Sequence, residues 1–244
     1  MSANMKIVVG LVALVLLALL SWWQSKKEPQ EDNEAAGTPP VPPDAKSIEG
    51  MRRNARDLVW AGFHGRAEII EMIPEFFNIT VEESAVAEIV DSEFARKAEA
   101  EKTWPERTDC DRLDAVFAAL DERGIIAKQY AGYTQSDAHS DIAEALCDAE
   151  LEGEDKYTGY CFYTAQDVES LLAGQHELHL GFGTNLEQAS EVAQALGAPD
   201  NVGAVEAGQL ICAVLKEFHF DTRWDESPST RIAVQNFDWK RRLG

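Results

Sequence analysis

Apolar residues recur at helical intervals through the first half of the chain and in short runs between turn residues through the second. Over Met51 to Gly62, Leu58 and Val59 fall at helical spacing with Phe63, and Gly62 with Gly65 marks a turn. Ile69, Ile70, Ile73 and Phe77 repeat the stripe from Arg66 to Phe77, with Pro74 placed to kink or end it. Thr80 followed by Glu83 has capping-box spacing and opens a helix through about Lys102, striped by Val86, Ile89, Val90 and Phe94. Trp104-Pro105 closes it. Asp109 or Asp111 is the candidate cap of the next helix, which carries Leu113, Val116, Phe117 and Leu120 and stops at Gly124.

From there the pattern alternates. Ile125 to Tyr130, Tyr157 to Tyr163 and Glu177 to Phe182 read as strands; Ser136 to Leu151 and Ala165 to Ala173 read as helices. Leu186 to Leu196 and Ala204 to Phe218 follow as helices. His219 to Trp224 and Arg231 to Gln235 close the pattern as strands around a Ser227-Pro228 turn. The expectation is an acidic α+β domain over residues 48–244. A helical part, 48–124, packs with a small mixed sheet of about five strands flanked by helices, 125–244.

Ahead of it, Ile7 to Trp23 is an uncharged apolar run of about 17 residues, at the short end of what a bilayer core requires. Trp22 and Trp23 suit the headgroup level, and Lys26 and Lys27 follow. The segment LLSWWQS offers no small-x-small cleavage site, so an uncleaved anchor over residues 1–25 is favoured over a signal peptide. Residues 26–47, with Pro39, Pro40, Pro42 and Pro43, read as a disordered spacer. The expected architecture is therefore a transmembrane helix, a linker and the domain, with localisation as a single-pass N-terminal anchor. Lysines on both sides of the run leave the side of the domain undetermined.

Charge narrows the partners. The chain carries a formal −21; residues 1–46 hold four Lys and five Asp or Glu, so the remainder keeps 18 basic against 38 acidic residues, net −20. Such a field repels phosphate backbones and argues against nucleic acid. It suits solubility, or a basic protein partner. The membrane is the other expected partner, through residues 7–23.

Chemical motifs are sparse. Cys110, Cys147, Cys161 and Cys212 form no CxxC pair, and Cys161 and Cys212 read as small core residues. His176 and His179 point to opposite faces of a strand, so no metal site is expected. Gly181-Phe-Gly183-Thr-Asn lacks the marks of a dinucleotide or phosphate loop and reads as a tight turn. No cofactor is implied. The densest polar stretch is Gly132 to Asp141, between a strand and a helix start. Its hydroxyls, carboxylates, amide and imidazole lie where backbone N–H groups are free. Tyr133, Gln135, Asp137, His139 and Asp141, with Gln166, form the candidate ligand-binding set, while Ser136 and Asp137 equally suit a helix cap. No nucleophile, base and orienter are legible, so an enzyme assignment stays open.

Trp104-Pro105, Thr108-Asp-Cys-Asp-Arg-Leu-Asp114, Gly124-Ile-Ile-Ala, Ala131-Gly-Tyr-Thr-Gln-Ser-Asp137, Gly159-Tyr-Cys-Phe-Tyr163, Gln166-Asp167 and Phe237-Asp-Trp239 occur in this order. In these segments the chain resembles an uncharacterised bacterial family of domains of unknown function, the one numbered 6891. The resemblance spans roughly residues 55–242 and implies a fold unit with no assigned activity. Typical members look soluble and cytosolic; the anchor and linker depart from them, as does the stretch around 185–205. The leading functional expectation is a membrane-tethered acidic interaction or regulatory module. The alternative is a small-ligand-binding or hydrolytic domain with a site around residues 133–141.

Overall fold

A computed structural model describes residues 45–79, 81–151, 157–184 and 202–242. Three helices come first: α1 (Ala45–Ala61), α2 (Arg66–Phe77) and α3 (Glu83–Glu101). Their apolar stripes meet in one cluster of Met51, Ala55, Val59, Ile69, Ile70, Ile73, Val86 and Val90. Burying a large aliphatic side chain contributes roughly 1.5–3 kcal/mol, and these stripes are what the three helices bury against one another. Pro74 lies inside α2 without ending it; the helix runs on to Phe77, and Asn78 closes it in the left-handed region. At the start of α3, Glu82 occupies the cap position and makes no side-chain cap bond. The expected Thr80–Glu83 box is corrected on that ground, and Thr80 itself lies outside the described residues.

The remaining elements are α4 (Asp109–Glu122), β1 (Ile125–Lys128), α5 (Gln135–Leu151), β2 (Gly159–Phe162), α6 (Ala165–Leu172), β3 (Glu177–Thr184), α7 (Val202–Glu217), β4 (Thr222–Arg223) and β5 (Ile232–Gln235). The strands form one mixed sheet in the order β1-β2-β3-β5-β4. β1 and β2 run parallel, joined through α5; the other neighbours are antiparallel. The α+β class with a five-stranded mixed sheet follows the expectation, while the expected strand at 219–224 shrinks to two residues. The chain leaves that strand early because Trp224 turns to donate its indole N–H to the Ser227 and Thr230 carbonyls.

The main core lies where α4 and α7 meet the sheet, with Leu113, Val116, Leu120, Ile211, Val214 and Leu215 against Ile125, Cys161, Leu178, Leu180, Ile232 and Val234. A smaller cluster holds Ile126 and Phe162 against Ala138 and Ile142 of α5. Gly181 and Gly183 are corrected from a tight turn to strand positions inside β3. They pair with Phe162 and Tyr160 of β2. Those aromatic rings occupy the space that a Cβ at either glycine would need. Glycine weakens a strand by itself, and a ring laid over it restores the packing.

Among the described residues the helical trio joins the rest through several contacts, two of which stand out. α1 packs on α6, and a C-terminal strap, Phe237 to Arg242, crosses several elements. In the strap, Trp239 donates its indole N–H to the Trp60 carbonyl at 3.2 Å. Arg242 donates to the Pro105 carbonyl at 2.6 Å.

One part of the expected architecture is overturned. Among the described residues no helix is long and apolar enough to cross a membrane. The transmembrane anchor and the single-pass localisation are corrected accordingly. The apolar run at 7–23 and most of the linker lie outside the described residues, as does the helix expected at 186–196. Ala45 to Ser47, expected in the linker, already belong to α1.

Candidate functional site

The helix starts organise the surface from which a site is built. Thr108, Thr134 and Thr164 each stand three residues before an aspartate, and each pair closes a reciprocal cap. Thr108 and Asp111 do so at α4, and Thr164 and Asp167 at α6. At α5, Asp137 Oδ2 accepts from the Thr134 N–H and hydroxyl, both at 2.9 Å, and the Asp137 N–H donates to Thr134 Oγ1 at 3.3 Å. These bonds satisfy N–H groups that a helix start leaves open. They also hold the Asp137 carboxyl below its ordinary pKa, since each donor favours the anion.

Between β1 and α5 the chain runs beside the start of α6. The Ala131, Ala165 and Gln166 N–H groups bond to the Tyr163, Gly132 and Tyr133 carbonyls at 2.8, 3.1 and 3.3 Å. Gly132 has φ 54, and a Cβ there would collide with Asp137, so the position requires glycine. The lacing places Tyr133 against α6, where its hydroxyl donates to Glu169 Oε2 at 3.0 Å and also bonds the Gln166 side chain. Tyr130 carries φ 54 as well. A bulky residue held in that region stores on the order of 1–3 kcal/mol, which its surroundings must offset. Phe63 does so by stacking on the ring at 4.4 Å.

These residues wall a cleft of about 610 Å³ between α1, α2, the 130–133 loop and α6. Leu58, Met72, Phe76 and Ala165 give it apolar walls; Asn54, His64, Glu75, Tyr130, Tyr133 and Glu169 give it polar atoms. Phe76 is 69% exposed and Tyr133 48%, unusual exposure for large rings in this domain. Burial raises the Glu169 carboxyl above its ordinary pKa, and nearby Asp57 adds to the effect. Asp57 is itself raised, chiefly by burial. The Tyr130 hydroxyl is pushed up to about 12 by burial, then by Glu169 and Asp57. The Asn54 Oδ1 atom is buried and has no hydrogen-bond partner.

Of the six candidate residues, Tyr133 lines this cleft, and Gln166 bonds the Tyr133 side chain from α6 without being part of the lining. The other four do not line it. Asp137 closes the α5 cap. His139 is exposed on α5, with its ring edge-on to Phe162 at 5.2 Å and Tyr160 at 5.9 Å. Asp141 offers its carbonyl to the Lys128 ammonium at 3.2 Å, and Gln135 is exposed at the first position of α5. Sequence reading missed Glu169, Tyr130, His64 and Asn54. Glu169 had a signal, standing three residues after Gln166 on one helix face.

A second polar cluster lies deeper. Arg241 Nη2 donates to Asp114 Oδ1 at 2.5 Å and to Gln129 Oε1 at 2.6 Å. Gln129 Nε2 donates to Asp114 at 2.8 Å, and the buried Tyr163 hydroxyl donates to Gln129 Oε1 at 2.8 Å. The guanidinium also lies over Phe63, 4.4 Å from the ring centre. Near it Lys97, 0% exposed, donates to the Val59 carbonyl at 2.9 Å. Burial brings the Lys97 ammonium down to about 8, and burial takes the Cys110 thiol up to about 12. The described residues contain no group of three or more His, Cys, Asp or Glu side chains able to hold a metal ion.

Residues 44–243 match the model of a family described as a domain of unknown function, DUF6891, and the chain belongs to that family. No curated protein and no solved structure matches the chain.

Proposed function

We propose that the domain binds a small ligand in the cleft walled by Leu58, Met72, Phe76, Tyr130, Tyr133 and Glu169. One observation carries the reading: a preformed cleft of about 610 Å³ whose apolar walls expose the Phe76 and Tyr133 rings. Ligand sites are concave, mostly apolar and few per protein, with volumes of roughly 300–1,000 Å³ and a few convergent polar groups. Perturbed carboxyl and hydroxyl groups in the same cleft add weight. The lining includes no Ser, Thr or Cys nucleophile, and the Tyr130 hydroxyl is harder to ionise than usual. Binding is therefore favoured over covalent catalysis.

A fragment screen by protein-observed NMR tests the proposal. Hits should shift Phe76, Tyr130 and Tyr133 resonances together, and Phe76→Ala should weaken them. An empty screen, or hits that cluster elsewhere, would remove it.

The net charge of −20 on residues 47–244 supports a second reading, a basic protein partner held at the acidic surface. Its affinity should fall steeply with salt. Salt-independent binding would sink that reading.

A further inference from the structure

The polar chemistry of the cleft is one-sided. Asn54 Oδ1 is a buried acceptor with no donor. Glu169 receives the Tyr133 hydroxyl on Oε2. Glu75 is exposed at the rim. His64 is the one basic side chain in the described lining, and its Nδ1 lies 2.7 Å from Glu68. Acceptors and carboxylates therefore face the cleft with little cationic charge to answer them.

Near the cleft the Asp57 carboxylate adds to the acidic side, although Arg56 and Arg53 lie beside Asp57 and partly answer it. Burial raises Glu169 and Asp57, and Asp57 pushes Glu169 further in the same direction. Negative charge gathered in a poorly solvated place disfavours more negative charge and favours an incoming cation. Aromatic rings suit the same guest, because their faces attract cations and their bodies attract carbon. The rings here are Tyr130, Tyr133 and Phe76, with Leu58 and Met72 continuing the apolar wall.

We propose that the ligand of this cleft is an organic ammonium, an amine head on an apolar body. The head sits among Glu169, the Tyr133 hydroxyl and Asn54 Oδ1, which takes one of its N–H donors; the body lies along Leu58, Met72 and Phe76. The proposal rests on the small-ligand reading of the cleft and names its ligand class.

Three probes with one apolar body and different heads test it: phenethylammonium, 2-phenylethanol and 3-phenylpropanoate, titrated by NMR into the full chain at pH 7.5 and 0.15 M salt. The ammonium should bind about tenfold or more tighter than the alcohol, and the carboxylate weakest. Glu169→Gln should cost the ammonium about tenfold and leave the alcohol unchanged, with the fold checked by circular dichroism. Tyr133→Ala keeps the net charge, so it should weaken the ammonium only if the cleft is the site. Ammonium binding that survives Tyr133→Ala would mean diffuse attraction to an acidic surface and would overturn the proposal. An alcohol that binds as well as the ammonium would overturn the cation class while leaving the small-ligand reading intact. If no probe binds, the cation proposal fails; the broader reading fails only if the fragment screen is also empty.

Discussion

Gln129 and Tyr130 are neighbours in the chain and enter opposite kinds of surroundings. Gln129 joins Arg241, Asp114 and Tyr163 in a cluster where one amide spans three partners. Tyr130 turns through a positive φ into a cleft where a carbonyl oxygen of Asn54 has no partner and burial makes the Glu169 carboxyl harder to ionise. One side of the backbone has its polar groups largely matched, and the other holds them in reserve. In the Gln129 cluster the Arg241 Nε alone is buried without a partner, while the other polar groups named there are bonded, and such a network favours one packing. An unsatisfied one invites a guest. The contrast predicts that the two sides fail in different assays.

The largest effect should come from Arg241→Ala, which strips the guanidinium from Asp114 and Gln129 and uncovers Phe63. The Arg241 side chain is largely buried but Asp114 is 45% exposed, so the loss should be about 1–3 kcal/mol, readable as a lower urea midpoint. Arg241→Lys should recover part of it, since an ammonium cannot reproduce the planar fork. A loss under about 1 kcal/mol for the alanine variant would erase the contrast.

Next is a pH effect at Lys97. Its folded-state pKa is about 8 against an ordinary lysine value of 10.5, so the unfolded chain binds more protons between those values. Lys97 therefore adds stability as pH rises through that window and loses it again as pH falls toward 8. The full swing is on the order of 3 kcal/mol. Glu101, Cys110 and Arg241 face the same ammonium, and Cys110 acts oppositely above about 9 because burial raises its thiol. The clean readout is the difference between the parent and Lys97→Met. The variant's advantage at pH 7.5 should shrink by pH 9.5; a constant gap would mean that Lys97 keeps its proton inside the fold across that range and that burial does not depress it.

Thr164→Ala should cost about 1–2 kcal/mol in thermal unfolding, because the cap it forms with Asp167 is buried and Asp167 also holds Arg231. The smallest stability effect belongs to the cleft. Glu169→Gln should change unfolding free energy by less than about 0.5 kcal/mol while altering ligand affinity. A large stability loss there would make Glu169 a structural residue and collapse the comparison.

Much of the fold was legible because it rests on periodicity. The stripes Ile69, Ile70, Ile73 and Val86, Val90 are buried as their spacing demands. Punctuation was read less well. Gly181 and Gly183 suggest a turn until the rings of Phe162 and Tyr160, some twenty residues earlier, are placed over them. The capping boxes share one spacing, threonine three before aspartate, and it recurs at 108, 134 and 164. Reading Asp137 as a potential ligand overlooked the threonine waiting for it. The cleft was legible only through Tyr133, with Gln166 bonded to its side chain. Asn54, His64 and Glu169 come from three separate elements, and no local pattern announces a meeting between helices distant in the chain. An anchor inferred from an apolar run, its flanking tryptophans and lysines and the lack of a cleavage site found no counterpart among the described helices.

The strap that ends in Arg242 also sets a schedule for synthesis. Trp60 and Trp239 are 179 positions apart, and Arg242 lies 137 positions from the Pro105 carbonyl to which it donates. At roughly 5–20 residues per second, Trp60 spends on the order of 10–40 s outside the ribosome before its partner is made. Through that interval Asp114 and Gln129 lack Arg241, and the Phe63 ring lacks its cover. A nascent chain of this domain is thus an open structure with polar groups and rings on offer, and the quality-control machinery has its opportunity before the strap arrives.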